Sequence, residues 1–404
     1  MTVRERFLNY IAIDTESDEL NGDEQPSSKG QWELAKLLVR ELEELGASDV
    51  ELSDYCVVYA HFDATPGLEE APAFGCIAHM DTVLKGKEIK ASVIENYDGG
   101  SVKLANGNVL CEEQNPKLAS LKGRSLIVTD GRTILGADDK AGVAAIMHMC
   151  QMLQEKKISH GKVCVAFTPD EEIGNGVDHF ELEKFGADYA VTVDGGAENE
   201  IEYENFNAAH VKVTVQGVNT HPGSAKGVMV NAAAILCDYQ SRLPKDEVPE
   251  RTEEKEGFYH LLGMKADVEV AEAEYLIREF DKEHFAFRKH YMEEIANCMN
   301  EELGKEAVKV EISDSYYNMA EIIEKDPAIL ANIETAIKKT GLIPEYVPIR
   351  GGTDGCRLSY EGLPCPNLGA GGYMFHSTYE HCTVEGMEHA AGILLELVNI
   401  YAGV

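Results

Sequence analysis

Apolar residues recur along this chain in two rhythms. Short continuous runs, such as Ala73-Phe74-Gly75-Cys76-Ile77, Leu126-Ile127-Val128, Val163-Cys164-Val165-Ala166-Phe167 and Val191-Thr192-Val193, have the length and side-chain content of buried strands. Between them the spacing turns helical. Leu34, Leu38, Leu42 and Leu45 share one helical face and end at Gly46, a residue suited to terminating a helix, and Val143–Met147 continues a second helical run. Alternation of this kind predicts an α/β fold, and 404 residues exceed what one core usually holds, so two domains are expected. Farther along, Val211–Val215 and Ala273–Arg278 read as strands, with Phe287, Tyr291, Ile295 and Cys298 as a helical stripe packed on them. The run from Lys245 to Glu256 is charged enough to be a solvated loop and helix face, and no internal repeat is present.

Several strand-like runs end in residues that bind metals. Glu171-Glu172 follows Val163–Phe167, and two carboxylates at a strand exit can divide the labour, one ligating a cation and the other accepting a proton. His79-Met80-Asp81 closes the run that begins at Ala73. Residues two apart on a strand share a face, so Asp81 can hold one imidazole nitrogen of His79 and leave the other for a metal. Asp138, in Gly136-Ala137-Asp138-Asp139-Lys140-Ala141-Gly142, sits between the Ser125–Val128 strand and the Val143–Met147 helix, where open α/β sheets place ligands. Its two oxygens can each hold one metal of a pair. Val191-Thr192-Val193 ends in Asp194-Gly195-Gly196, and Gly371-Gly372-Tyr373-Met374-Phe375 leads to His376. Two histidines, three carboxylates and a spare glutamate suit two zinc ions, with Co²⁺ or Mn²⁺ as substitutes.

The order of these motifs resembles the two-zinc exopeptidases related to aminoacylase and bacterial carboxypeptidases, and among them the peptidase T family of tripeptide aminopeptidases. The likeness runs from Glu5–Tyr10 to Thr383–Met387 and includes Thr220–Gly227, Asp314–Asn318 and Ile349–Gly355. The resemblance implies a zinc-exopeptidase-like catalytic domain, with a mixed central sheet flanked by helices, and a smaller inserted α+β lid and dimerisation domain. His79 and Asp194 are then implied to hold one zinc, Glu172 and His376 the other, with Asp138 between them. Asp81 orients His79, Glu171 shuttles the proton, and Asp139 is structural. His221 reaches the substrate carbonyl from the second domain, often across a homodimer, and Arg278 and Arg350 bind the substrate carboxylate, to which a guanidinium fork is suited. Two departures bear on specificity: Ser377-Thr378 follow His376 where the peptidase T pattern has Gly-Lys, and Val83–Lys87 is shorter than usual. The motifs place the catalytic domain at 1–206 and 318–404 and the insertion at 207–317.

Composition narrows the partners. Acids exceed bases by 71 − 36 = 35, a field that repels nucleic acid and anionic membrane but not small zwitterionic peptides at a cationic centre. The ten cysteines form no Cys-x-x-Cys, and Cys76, Cys164 and Cys237 lie in apolar runs, so buried reduced thiols in a cytoplasmic protein are expected. The charged start has no secretory core, no apolar stretch approaches ~20 residues, and Gly-Lys-Ser/Thr is absent, so neither a membrane span nor a P-loop is supported. Two alternatives to a tripeptide aminopeptidase remain. One is a related two-zinc dipeptidase or N-acyl-amino-acid amidohydrolase. The other is a noncatalytic metal or peptide binder, against which the free carboxylate of Glu171 argues.

Overall fold

The structure, a computed structural model, describes residues 1–83 and 88–403, so most of the Val83–Lys87 segment lies outside the described residues. The chain divides into two compact units: Met1–Tyr203 with Glu321–Val347 and Thr353–Val404, and Glu204–Ala320 with Pro348–Gly352.

The first unit is built on an eight-stranded mixed sheet in the order 48–52, 58–62, 163–168, 74–79, 189–195, 367–369, 200–202, 345–346. Its centre, 163–168, 74–79 and 189–195, is parallel. The strands Phe74–His79 and Val163–Thr168 are buried along their whole length. That is why they read as unbroken apolar runs instead of alternating ones. The helix Ala137–Lys156 packs on 74–79 and 189–195 and is flanked by Val3–Ile11 and Val384–Ala402. Its approach is so close that a Cβ at Gly142 would overlap the Val193 carbonyl oxygen. The leucine stripe forms Lys29–Glu44 with Leu34, Leu38 and Leu42 buried, and Gly46 beyond it is left-handed.

Leu126–Val128 does not join the large sheet. It lies in a separate four-stranded sheet, ordered 372–373, 381–383, 126–128, 92–94. A three-residue strand carries no record of its partner, so the expectation that it leads Asp138 to the main sheet's edge is corrected here. Asp138 owes its place to the helix packed on the sheet.

In the second unit an antiparallel sheet runs in the order 258–266, 270–279, 207–216, 308–316, and Ala232–Arg242 and Lys282–Leu303 pack on it. Both helices lie against one face, and among the described residues of this unit burial alternates along Asn207–Gln216 and Val270–Glu279. The core joins Val211, Val213, Val215, Tyr275 and Ile277 to Leu236, Tyr239, Phe285, Met292 and Ile295. The predicted stripe is offset. Phe287 and Cys298 are exposed, while Phe285, Met292, Ala296 and Met299 join Ile295 on the buried face. This helix carries apolar residues on two overlapping stripes, and the methionine-bearing one faces the sheet. All ten cysteines are free thiols; Cys76 and Cys164 are buried, and Cys237, against expectation, is exposed.

The return of Pro348–Gly352 to the second unit has a physical cause. The Arg350 Nη1 donates to the carbonyls of Glu254 (2.6 Å) and Glu256 (3.2 Å), and Nη2 to the carbonyl and Oγ1 of Thr252 (3.3 and 3.0 Å). The guanidinium also lies over the rings of Phe206 and Phe258, at 5.1 and 5.6 Å from their centroids.

Candidate metal centre

Parallel neighbours bring their carboxyl ends to one edge, and open α/β sheets bind ligands there. His79 is the last residue of its strand and pairs in register with Thr168, Glu171-Glu172 form a single 3₁₀ turn just beyond that strand, and Asp194 lies at the end of the third. Asp138 arrives from the start of Ala137–Lys156. His376 arrives from the loop between strands 372–373 and 381–383, in a left-handed conformation that side-chain-bearing residues seldom adopt.

Together these residues make two half-sites that share Asp138. Its Oδ1 lies 2.9 Å from the His79 Nε2, which is also 3.4 Å from the Asp194 Oδ1. Its Oδ2 lies 3.0 Å from the His376 Nε2, which is 3.1 Å from the Glu172 Oε2. The ligand atoms of His79, Asp138 and Glu172 fall within 4.8 Å of one another, as do those of His79, Asp139 and Asp194. Asp139 is otherwise engaged, however. Its Oδ2 accepts the His79 amide at 3.2 Å and its Oδ1 the Gly142 amide at 3.1 Å, so its work is to join helix to strand.

Asp81, fully buried, accepts from three directions. Its Oδ1 lies 3.2 Å from the His79 Nδ1 and 3.0 Å from the Glu171 amide, and its Oδ2 accepts the Glu172 amide at 3.2 Å. One carboxylate thereby orients the imidazole and fixes the turn that carries both glutamates. From behind, the Asp170 carboxylate, left-handed in backbone, takes the Ser27 amide and hydroxyl and the Gln31 side chain.

The charges are crowded. Burial alone would depress the His79 imidazole, but the charge of Asp194 and bonds to Asp138, Asp194 and Asp81 outweigh it and hold its pKa well above the usual value. Bonds to Asp138 and Glu172 push His376 up to about 10. Burial, then the Asp138 charge, pushes Glu172 up to about 7, and burial lifts Glu171 and Asp194 well above the carboxylate range. Asp138 goes the other way: burial opposes it, but the bonds from His376 and His79 hold its pKa low. The buried Glu172 Oε1 has no hydrogen-bond partner among the described residues. The three carboxylates of Asp138, Glu172 and Asp194 and the imidazoles of His79 and His376, packed so closely and with one Glu172 oxygen orphaned, form an oxygen-rich donor set that suits divalent cations.

Two acids here were given no role from the sequence. Glu380, buried, accepts the amides of Leu135 (2.6 Å) and Gly136 (3.1 Å) on Oε2 and those of Ala137 (2.7 Å) and Asp138 (3.1 Å) on Oε1. Asp354, in the Ile349–Gly355 motif, accepts the Thr168 hydroxyl at 2.7 Å. Nothing in 71 acids distinguishes a buried glutamate four residues after His376 until the loop is in place. Ser377 turns inward, donating to the Met374 carbonyl at 2.7 Å and accepting the Tyr379 amide at 3.1 Å, so it shapes the loop that presents His376. In the second unit the His221 Nδ1 accepts the Gly223 amide at 3.1 Å, and the Arg278 guanidinium lies 5.0 Å from the Tyr316 ring centroid. The buried Arg278 Nη1 has no hydrogen-bond partner among the described residues, whereas Nη1 and Nη2 of Arg350 donate to the Glu254, Glu256 and Thr252 carbonyls of its own unit.

Comparison with known proteins shows the family. Residues 125–400 match the sequence profile of peptidase family M20/M25/M40. Peptidase T of Clostridium perfringens is 48% identical over 403 residues, covering 99% of each chain, and that of Escherichia coli is 47% identical over 403 residues, covering 98% of each. A solved aminopeptidase PepT from Bacillus cereus superposes with a TM-score of 0.78 at 23% identity, over 99% of this chain and 98% of that one.

Proposed function

The chain belongs to peptidase family M20/M25/M40 and is a metallo-aminopeptidase, and from that premise we propose that it removes the N-terminal residue of tripeptides at a two-metal centre with Glu171 as proton shuttle. The observation that carries this is the sharing of Asp138, each oxygen facing a different imidazole. His79 and Asp194 would hold one ion and Glu172 and His376 the other. Zinc is the assignment, with Co²⁺ or Mn²⁺ able to replace it. Bound there, the two cations supply a polarised carbonyl and a water acidic enough to react near neutral pH.

The chain's residues do the rest. Glu171 is left out of both half-sites, and its raised pKa makes it a competent base: it takes a proton from the water as the C–O bond forms. The C–N bond breaks and the same carboxyl returns the proton to the departing amine. Asp81 keeps Glu171 in register with His79 through its three bonds. The resemblance assigns His221 to the substrate carbonyl and Arg278 to its carboxylate, and the unpartnered Nη1 of Arg278 adds to that assignment. It also carries the homodimer and the cytoplasmic location. Among the described residues no helix is long and apolar enough to cross a membrane.

The test is a length series of free di-, tri- and tetrapeptides beside N-acetylated tripeptides, with metal counted per chain. Two metals, a maximum at three residues and no cleavage of the acetylated series are expected. Preference for acetylated substrates would move the activity to the amidohydrolase alternative.

A further inference from the structure

Asp138 stands where the chain has little means of its own to hold it. Its backbone is not helical (φ −84°, ψ 104°), nor is that of Asp139 (φ −120°, ψ 34°), and the first amides of any helix lack partners within it. The four consecutive amides from Leu135 to Asp138 all point at one carboxylate, that of Glu380. A carboxylate has about four lone-pair positions on two oxygens, so a single residue satisfies all four donors.

Glu380 belongs to the same short loop as His376. That loop is closed on itself by the Glu380 amide on the Ser377 carbonyl (3.1 Å) and by the Ser377 hydroxyl on the Met374 carbonyl (2.7 Å). It therefore grips Asp138 twice, its imidazole on the side-chain Oδ2 at 3.0 Å and its carboxylate on the backbone amide at 3.1 Å.

On the two-metal reading above, we propose that Glu380 is a positioning residue for the shared ligand: it locks the Asp138 segment to the His376 loop and so sets the spacing at which both half-sites bind their ions. Glu380 touches neither substrate nor metal. It acts through Asp138.

The experiment is Glu380→Gln, read by competition of zinc against a chelating dye. One amide oxygen accepts two amides at most, and the NH₂ group then faces the other two donors. Partners that orient metal ligands typically change affinity about 10–100-fold when altered, and that loss is expected for the weaker-binding zinc. kcat for a free tripeptide should fall with KM within about twofold and excess zinc should restore it, while the chelated variant keeps the far-UV circular dichroism of chelated wild type, which a general loss of folding would not. The exposed Glu95→Gln serves as a control and should leave both affinities unchanged. Zinc affinities within about twofold of wild type in Glu380→Gln would overturn the proposal, as would a lowered kcat that zinc does not rescue. If that variant does not fold, amide exchange in the wild type decides. Slow exchange at residues 135–138 without metal, unaltered by zinc, supports the lock, and fast exchange there refutes it. A wild type that binds fewer than two zinc ions would instead sink the two-metal reading itself.

Discussion

Glu171→Gln separates chemistry from metal binding. The substitution keeps the size of the side chain, leaves both half-sites intact, and preserves the hydrogen bond that the residue-171 backbone amide donates to Asp81 Oδ1 at 3.0 Å, so metal content should stay at the wild-type value. What disappears is the proton acceptor. General acid–base groups contribute about 10²- to 10⁴-fold, which is about 2.7 to 5.5 kcal/mol of barrier, and kcat/KM for a free tripeptide should fall by that much. The ascending limb of the pH–rate profile should vanish with it, because that limb reports the deprotonation of this base. A second effect has the opposite sign. Burial, together with the charges of Asp194, Asp354 and Glu172, raises the Glu171 pKa, so this carboxyl costs folding energy that sets in as pH rises above the ordinary 4.5, where the unfolded chain ionises, and is complete once pH passes the folded-state value. A neutral amide removes that cost. In the chelated protein Glu171→Gln should therefore melt higher than wild type at pH 8, with the gap closing toward pH 4. Activity near the wild-type rate, measured with metal content confirmed, would refute the assignment of the base. Loss of metal would show that Glu171 is a ligand.

Three further outcomes follow from the geometry. Chelation should lower the melting temperature and added zinc should restore it in a concentration-dependent way, by about 2.7 kcal/mol at a hundredfold excess over Kd; scanning fluorimetry that shows no dependence would contradict a site built from mutually repelling acids. Gly142→Ala puts a methyl group into the Val193 carbonyl and the Asp139 Oδ1, which should cost at least about 1–3 kcal/mol in denaturant unfolding and weaken metal binding through Asp194. His381, whose Nε2 accepts the Asn115 amide group at 2.9 Å and whose Nδ1 faces the Tyr379 carbonyl at 2.8 Å, is pushed down to about 4 by burial, so its folded form stays neutral while the unfolded chain protonates. Its contribution is complete above the usual 6.5 and lost as pH falls toward 4, about 3 kcal/mol in all, and an NMR titration of this ring with a midpoint near 6.5 would disprove it.

The sequence showed the parts of the site that rest on strand ends. His79, Glu171, Glu172 and Asp194 each follow an apolar run, and a parallel sheet gathers such ends without further information. What pulls the others in was less visible. Asp138 depends on a helix that Gly142 lets lie close against the sheet, and the neighbouring strand Leu126–Val128 pairs elsewhere, since three residues do not encode a partner. Glu380 was hidden for a related reason: its importance lies in four backbone amides, which leave no trace in side-chain identity. The Lys282–Leu303 helix shows the limit of periodicity, since two apolar stripes share Ile295 and only the sheet decides between them.

The Arg350 loop makes the second unit a closed parcel tied with a string from farther down the chain. Excised as one continuous piece, 204–320 would leave the carbonyls of Thr252, Glu254 and Glu256 without their cation and the rings of Phe206 and Phe258 without their cover. Exchanging this unit between relatives therefore takes two grafts rather than one. A five-residue tether has to travel with the insertion, although more than twenty-five residues of a different unit separate them in the sequence.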